Sequence, residues 1–192
     1  MNSLSHPTPR QGLRRPGSGR WRAILGVVTG LLLLPVAIAH ATTVRRLDLP
    51  AMSRAADTIV EGRVEGVRSY WEGNRIWTEV RIAVTRAHKG SPDGIVTVLQ
   101  LGGRVESPVP VAMTVPGAPE HRIGDEGFFF LEPIAPGQAK KMIVGLFQGR
   151  VLLRKDDRGP FVSVGGKRQM PGELADSIRR LLAGQAAEGR KP

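Results

Sequence analysis

The sequence predicts a mainly β protein: a small, closed or nearly closed barrel of five to six antiparallel strands, with a short helix before it and an amphipathic helix after it. Three observations support this fold. Apolar and polar residues alternate with a period of two from Ile59 onward, clusters of Gly, Pro and Asp separate the apolar runs, and leucines recur at helical spacing near the end. No internal repeat is visible, so one domain accounts for these elements.

The first element is a short helix in the segment LDLPAMSRAADTI. Asp48 stands where an N-cap is expected, and Pro50 suits the first turn, where its missing amide proton costs nothing. Leu49, Met52 and Ala56 recur at helical spacing. We expect this helix to pack on the sheet as a lid.

A long hairpin follows the helix. Val60, Gly62, Val64 and Gly66 alternate with charged residues, and the break in phase between Gly66 and Val67 predicts a bulge. After a Gly-Asn turn, the return strand separates an inward from an outward set of side chains. The inward set is Ile76, Thr78, Val80, Ile82 and Val84, and the outward set is Trp77, Glu79, Arg81 and Thr85. Val60, Val64, Ile76, Val80 and Ile82 are therefore predicted to lie in the barrel interior.

The middle of the chain alternates between strands and turns. KGSPDG is a turn cluster, and IVTVLQL, residues 95–101, is a strand whose apolar residues occupy both faces. A long loop rich in Pro and Gly follows, with a short edge strand predicted around Val109 to Val115. FFFLEPI is predicted to be a buried strand.

The last elements are a second hairpin and a helix. The hairpin joins Met142–Leu153 to Phe161–Val164, with its turn near Asp157-Arg158-Gly159. The helical stripe consists of Leu174, Ile178, Leu181 and Leu182. Gly184 is predicted to end this helix. The domain then spans residues 42–185, and residues 186–192 form a flexible tail.

The first 41 residues predict a signal peptide. Met1 to Arg22 carries five arginines and no acid, an apolar run of 17 residues follows from Ala23 to Ala39, and Ala39-His40-Ala41 is a cleavage pattern. Export to the periplasm or the medium is therefore expected. An uncleaved membrane anchor is the alternative, since 17 residues is at the short limit for a spanning helix.

Composition excludes several classes of protein. The chain has no cysteine, so a core rather than a disulfide framework must stabilise it. Without the five leader arginines, 23 basic residues stand against 17 acidic ones, a net charge of +6 instead of +11. The basic residues are spread along the chain, which is typical of a solvated surface rather than a nucleic-acid tail.

No motif predicts catalysis, a cofactor or a metal site. The two histidines after the leader, His88 and His121, are not in a metal-ligand spacing and are predicted to lie on the surface. VGGKRQ has Phe161 and Arg168 where a phosphate-binding loop needs glycine and a hydroxyl. No G-x-S-x-G is present. We therefore predict that the protein is not an enzyme, although paired carboxylates leave general acid-base chemistry open.

Two dipeptides carry a resemblance to known proteins. Ala56-Asp57 opens the first long strand and Lys89-Gly90 ends the second, and IVTVLQLGG and HRIGDEGFFFLEP follow. In this the chain resembles the OB-fold of netrin modules and tissue inhibitors of metalloproteinases. From ATTVRRLDL through GLFQGRVLL it also resembles a group of uncharacterised exported bacterial proteins. The resemblance implies an OB-like barrel.

The same resemblance implies two alternative functions. Tissue inhibitors chelate a protease's zinc through an amino-terminal cysteine, and the corresponding residues at the mature start would be Thr42 and Thr43, with no cysteine or disulfide to support them. OB-folds also bind single-stranded nucleic acid on a basic face with aromatic residues. The outward residues predicted for the hairpin mix both charges and offer one aromatic, which disfavours nucleic acid.

The tip of the first hairpin is the candidate binding site. It holds three of the chain's nine Trp, Tyr and Phe residues, and the candidate residues are Tyr70, Trp71, Arg75 and Trp77. Trp71 and Trp77 flank a predicted loop of five residues and are interpreted as cross-strand neighbours that stabilise the hairpin. The functional alternative is an aromatic contact for an envelope or secreted protein, a protease included, or for a glycan. We predict a binding or structural module whose ligand the sequence does not identify.

Overall fold

The computed structural model describes residues 46–106 and 108–188. The predicted signal peptide, its cleavage site, and Thr42 and Thr43 lie outside the described residues. Of the helices in the described part, none combines the length and the apolar character needed to cross a membrane.

Two helices and eleven strands are found in the described part of the chain. Helix α1 is Leu49–Ala55 and α2 is Pro171–Glu188. The strands are β1 Thr58–Glu72, β2 Arg75–Lys89, β3 Ile95–Leu101, β4 Gly103–Val105, β5 Val111–Met113, β6 Glu126–Pro133, β7 Lys141–Ile143, β8 Arg150–Leu152, β9 Arg154–Asp156, β10 Gly159–Val164 and β11 Lys167–Gln169.

Five of these strands close into a ring, so the predicted fold class is confirmed. The order is β1-β2-β3-β7-β6, and β6 pairs back onto β1. Every pair in the ring is antiparallel except β3 with β7. This makes a small OB-like barrel, and β8 adds a sixth strand on β6. The hairpin β4–β5 lies within the long loop, where a short edge strand was predicted, and β9, β10 and β11 form a separate small sheet.

The predicted inward residues form the interior of the ring. Val60, Val64, Ile76, Val80 and Ile82 are fully buried, as predicted. A second apolar cluster lies under the helices and includes Met52, Phe130, Leu174 and Ile178. The two helices therefore cover one side of the sheet with the apolar stripes that the sequence predicts.

Helix α1 begins as predicted. The carboxylate of Asp48 accepts a hydrogen bond of 2.8 Å from the amide of Ala51, and Pro50 lies in the first turn. The other end is held by Lys89, whose Nζ donates to the carbonyl oxygens of Ser53 and Ala56 at 2.9 and 2.6 Å. The end of β2 thus fixes the lid on the barrel.

Bulges bend the long hairpin into the ring. A bulge is present between Val64 and Gly66, just before the position predicted at Gly66 and Val67, and two further register shifts occur near the start of β1. Gly62 lies directly opposite Gly127 of β6. A Cβ atom at Gly62 would lie 2.5 Å from the carbonyl oxygen of Ala83, and one at Gly127 would overlap that of Val151. Both glycines are needed because neighbouring strands approach too closely for a side chain.

Three predictions about the second half of the chain are wrong. Met142–Leu153 is not one strand, because β7 ends at Ile143, and Gly145 and Leu146 both adopt positive φ in the turn before β8. The partner of β10 is β9 rather than the predicted segment. Gly184 does not end α2, which continues to Glu188.

Candidate functional site

The tip of the first hairpin is tighter than predicted, and its two tryptophans do not pair. A two-residue turn, Gly73-Asn74, joins the strands, with φ of +61° at Gly73, which suits a hairpin turn. Trp71 pairs with Ile76, and Trp77 pairs with Tyr70. Since successive side chains alternate between faces, Trp71 and Trp77 lie on opposite faces of the hairpin. The predicted cross-strand contact between them is therefore wrong.

The four predicted binding residues are thus divided. Trp71 is 45% exposed at the tip. Arg75 is exposed and pairs with Glu72 beside the turn. Tyr70 is half-buried, with the guanidinium of Arg68 over its ring at 5.6 Å from the centroid. Trp77 is half-buried as well, and of the four it is the residue that lines a cavity.

That cavity is an apolar groove where β3 and β7 diverge. Within the described residues, the two strands share a single paired position, Val98 with Lys141. Beyond this paired position, neither strand fills the space between β3 and β7, and a groove of about 200 Å³ remains. Except for Gln100, its lining side chains are apolar: Trp77, Val98, Leu99, Leu101, Val115, Ala118, Pro119, Met142, Ile143 and Leu146. We call this cavity the β3–β7 groove.

The register explains why Trp77 lies at the groove. Trp77 is opposite Leu101 and Glu79 is opposite Leu99, so these four side chains share the outer face of the barrel. Because Leu99 and Leu101 lie on the outer face, they do not fill the barrel interior. They extend the apolar surface of Trp77 along β3 as far as the groove.

The far wall of the β3–β7 groove is a strained turn. Leu146 has φ of +66°, a backbone conformation that a leucine rarely adopts, and its side chain is 43% exposed. The neighbouring Phe147 is also exposed, and Gly117 of the long loop lies beside both side chains. The turn and the loop residues Val115 to Pro119 thus bring an apolar patch together on both sides of the opening.

An ion pair borders the groove region. Lys140, just before β7, donates from Nζ to a carboxylate oxygen of Glu79 at 3.1 Å. This hydrogen bond is the main cause of a raised pKa of Lys140, to which the charges of Glu79, Tyr70 and Glu72 contribute. The two charges satisfy each other, so the border does not present an unpaired basic surface.

A second cleft, with a larger volume of about 460 Å³, lies at the end of the barrel under β4 and β5. Its polar groups pair mainly with one another. Thr78 donates from Oγ1 to the carbonyl oxygen of Gly102 at 2.6 Å, so in its 2.8 Å contact with Ser69 the serine is the donor. Gln100 donates to the carbonyl oxygen of Pro119 at 2.9 Å. These bonds hold the long loop against the end of the barrel.

The side chain of His88 is buried and His121 is half-buried, which corrects the prediction that they lie on the surface. The side chain of His88 is 6% exposed; it contacts Glu61 at 2.7 Å and stacks on Phe128. His121 Nε2 contacts Gln100 Oε1 at 3.0 Å, and its buried Nδ1 has no partner among the described residues. Burial, with the charge of Arg150 adding to it and that of Asp125 opposing it, lowers the pKa of His121 to about 4. Both imidazoles thus pack within the structure.

No group of three or more His, Asp or Glu side chains in the described ranges is arranged to hold a metal ion. His88 has Glu61 beside it, and the carboxylate of Glu61 also lies 3.7 Å from the guanidinium of Arg86. An arginine beside the pair provides a counter-charge rather than a ligand. These residues are best understood as a structural ion-paired cluster.

Sequence reasoning found one wall of the groove and missed the rest. Leu99, Leu101, Met142 and Leu146 were not among the candidates. The sequence signal for Leu99 and Leu101 was the apolar character of both faces of IVTVLQL. Leucines on the outward face of a half-buried strand indicate a second apolar surface or an interaction site. Leu146 carried no such signal, because its position depends on the turn between β7 and β8.

Comparison of the chain with models of known protein families and with curated proteins finds no match. The resemblance to netrin modules and metalloproteinase inhibitors at Ala56-Asp57 and Lys89-Gly90 stays a prediction. Function must therefore be argued from the residues and their geometry.

Proposed function

We propose that this chain is an exported, non-catalytic binding module that holds an apolar part of its ligand in the β3–β7 groove. The observation that carries the proposal is the lining of this groove, which is apolar, about 200 Å³ in volume and continuous with the exposed side chains of Leu146 and Phe147. Concave apolar sites with few polar groups are the usual form of ligand pockets, and apolar patches at a surface mark interaction sites.

The strain at Leu146 supports the same proposal. A non-glycine residue with positive φ costs on the order of 1 kcal/mol or more and persists when surrounding structure or function requires it. Here the strained residue is also partly exposed, so burial of its own side chain does not fully offset the cost. Its apolar side chain instead forms a wall of the groove.

The non-catalytic part of the proposal rests on the chemistry of the side chains. The chain has no cysteine, and His88 and His121 are engaged with Glu61 and Gln100 in partly buried contacts. Export rests on the signal-peptide pattern of residues 1–41.

The two alternatives have less support. Inhibition of a zinc protease depends on Thr42 and Thr43, which lie outside the described residues, so it remains a sequence-based prediction. Binding of single-stranded nucleic acid needs a basic surface with stacked aromatic residues. Trp77 and Tyr70 share the outer face with the ion pair of Glu79 and Lys140, and the guanidinium of Arg68 lies over the Tyr70 ring. The face thus mixes both charges, which favours an apolar ligand over a phosphate backbone.

A pair of matched crosslinking variants tests the proposal. A benzophenone amino acid replaces Leu146 in one full-length protein and Leu153 in the other; the two leucines are 43% and 37% exposed, and Leu153 lies outside the groove. Each protein is expressed in the producing organism and irradiated. We expect a discrete adduct in the exported fractions at position 146 that is absent at 153 and lost in Trp77→Ala. Equal labelling at both positions, or no adduct at 146, would contradict the proposal.

A further inference from the structure

The backbone of β3 presents hydrogen-bonding groups to the groove. Its ladder with β2 runs without a register shift over seven pairs, from Trp77 and Leu101 to Ala83 and Ile95. Just outside the two ends of this ladder, the amide of Gly102 donates to Ile76 at 2.8 Å and the amide of Val84 donates to Gly94 at 2.7 Å. These two bonds fix which residues of β3 face β2.

In an antiparallel ladder, the residues that exchange hydrogen bonds alternate with residues that do not. Because the pairs of Gly102 with Ile76 and Gly94 with Val84 carry bonds, so do those of Val96, Val98 and Gln100. The amides and carbonyls of Ile95, Thr97, Leu99 and Leu101 therefore point away from β2, toward the other edge of β3.

Strand β7 uses only part of that edge. Its one paired position with β3 in the described chain is Val98 with Lys141. Since Val98 bonds to β2, a parallel bridge there engages the carbonyl of Thr97 and the amide of Leu99 with Lys141. No second bridge between β3 and β7 follows in the described chain to engage the carbonyl of Leu99 and the backbone groups of Leu101. No backbone bond to these groups from a turn, loop or cap of the described chain is found either. Leu99 and Leu101 both line the β3–β7 groove.

We propose that the groove receives a short extended peptide with apolar side chains, which adds to the free edge of β3 at Leu99–Leu101. This deepens and rests on the proposed function. The strand edge supplies directional hydrogen bonds to a peptide backbone, and the apolar walls at Trp77 and Leu146 take the alternate side chains. A lipid or a glycan has no alternating amides to match this edge.

The geometry favours a peptide of another protein over a second copy of this chain. The groove is about 200 Å³ and is bounded by Leu146 on one side and by Val115, Ala118 and Pro119 on the other. This space admits a single extended segment of a few residues. If two folded barrels paired edge to edge, the neighbouring strand of each barrel would have to fit into this space as well.

Peptide probes with matched backbones test this inference on the full chain. The first probe is an acetylated, amidated serine-flanked valine-isoleucine-valine peptide, and the second is the same peptide N-methylated at its three central residues. Octanol serves as an apolar molecule without peptide bonds. We expect the N-methylated peptide to bind about tenfold more weakly or worse, because it cannot pair with the edge. Leu101 amide exchange should slow with the first peptide, while the Gln100 amide, bonded to β2, is protected throughout.

The outcomes separate the two proposals. Equal binding of both peptides, or an unprotected Leu101 amide in the bound state, overturns strand addition. Binding of octanol at Trp77 and Leu146 in that case leaves the proposed function standing. If neither the peptides nor octanol binds the groove, the proposed function fails as well. Concentration-dependent protection of Leu101 without peptide, together with dimers in sedimentation, would assign the edge to a second copy and overturn the inference.

Discussion

The ammonium of Lys89 lies 2.6 Å from the carbonyl oxygen of Ala56, at the end of helix α1. The next residues meet as well: Gly90 has φ of +76°, and a Cβ there would lie 3.2 Å from the carbonyl oxygen of Asp57. The dipeptides Ala56-Asp57 and Lys89-Gly90, which carry the resemblance to netrin-like OB-folds, are therefore in direct contact. Their role in this chain is to attach the lid helix to the barrel.

Lys89→Met should destabilise the domain by about 2 kcal/mol, because two carbonyl oxygens lose a charged donor in a partly buried site. Methionine retains most of the aliphatic packing, so the loss reports on the hydrogen bonds. Urea denaturation measures the effect, with Lys155→Met at an exposed position of β9 as the control. Equal stability of the two variants would show that Lys89 does not hold the helix.

Gly127→Ala should destabilise the domain by several kcal/mol. A Cβ at this position would overlap the carbonyl oxygen of Val151 in β8, and backbone atoms cannot yield as a flexible side chain can. Gly184→Ala is the matched control, since nothing lies within 4 Å of its added methyl group in helix α2. We expect that control to gain about 0.5–1 kcal/mol from helix propensity. Thermal unfolding of both variants gives the comparison, and a stable Gly127→Ala protein would refute the close packing of β6 on β8.

The pKa of His121 near 4 predicts acid sensitivity. In the unfolded chain the imidazole has an ordinary pKa of about 6.5, so between pH 6.5 and about 4 only the unfolded state takes up the proton. Stability from this group is complete above pH 6.5, falls as the pH drops, and is lost at about pH 4. At about 1.4 kcal/mol per pH unit, the loss is roughly 3 kcal/mol.

The pH dependence of unfolding in urea tests this prediction, with His121→Gln as the comparison. Glutamine can still donate to Gln100 but does not titrate. The wild-type protein should lose more stability than the variant between pH 7 and 4, while other titrating groups cancel in the difference. Parallel pH profiles for the two proteins would contradict a buried, neutral His121.

Leu146→Asn should be more stable than Leu146→Ala by about 0.5–1 kcal/mol, because asparagine tolerates positive φ and alanine does not. Both variants remove the apolar wall that Leu146 forms, so both should bind the valine-isoleucine-valine peptide more weakly than the wild-type protein does. Chemical denaturation measures the stability difference. If the alanine variant is the more stable of the two, the turn does not carry backbone strain.

The sequence predicts the barrel interior well because burial imposes a strict period on each strand. Val64 and Val80 were placed correctly from alternation, and Asp48 from the rules for helix caps. The break at Gly145 and Leu146 was missed because a continuous run of apolar residues looks the same in one strand or two. The C-terminal end of α2 was misjudged because a glycine inside a packed helix costs little beside its apolar contacts.

The β3–β7 groove could not be predicted in the same way, because it depends on pairing between distant strands. Leu99 and Leu146 come together only through the parallel pair of β3 and β7, which no local pattern specifies. The positions of Trp71 and Trp77 show a related limit. A five-residue loop would place Trp71 opposite Trp77, whereas the two-residue turn shifts the register by one residue and places Trp71 opposite Ile76. That shift puts the two tryptophans on opposite faces.

Fluorine NMR of the full chain, labelled with 5-fluorotryptophan, tests most directly that the groove rather than the hairpin tip binds the ligand. Trp71 and Trp77 lie on opposite faces of one hairpin and so act as control and reporter in the same molecule. Their resonances are assigned with Trp71→Phe and Trp77→Phe, and the protein is titrated with the valine-isoleucine-valine peptide and with octanol. The account predicts that the Trp77 resonance moves while that of Trp71 stays unchanged. A shift of Trp71 alone, or of neither tryptophan with either probe, would contradict it.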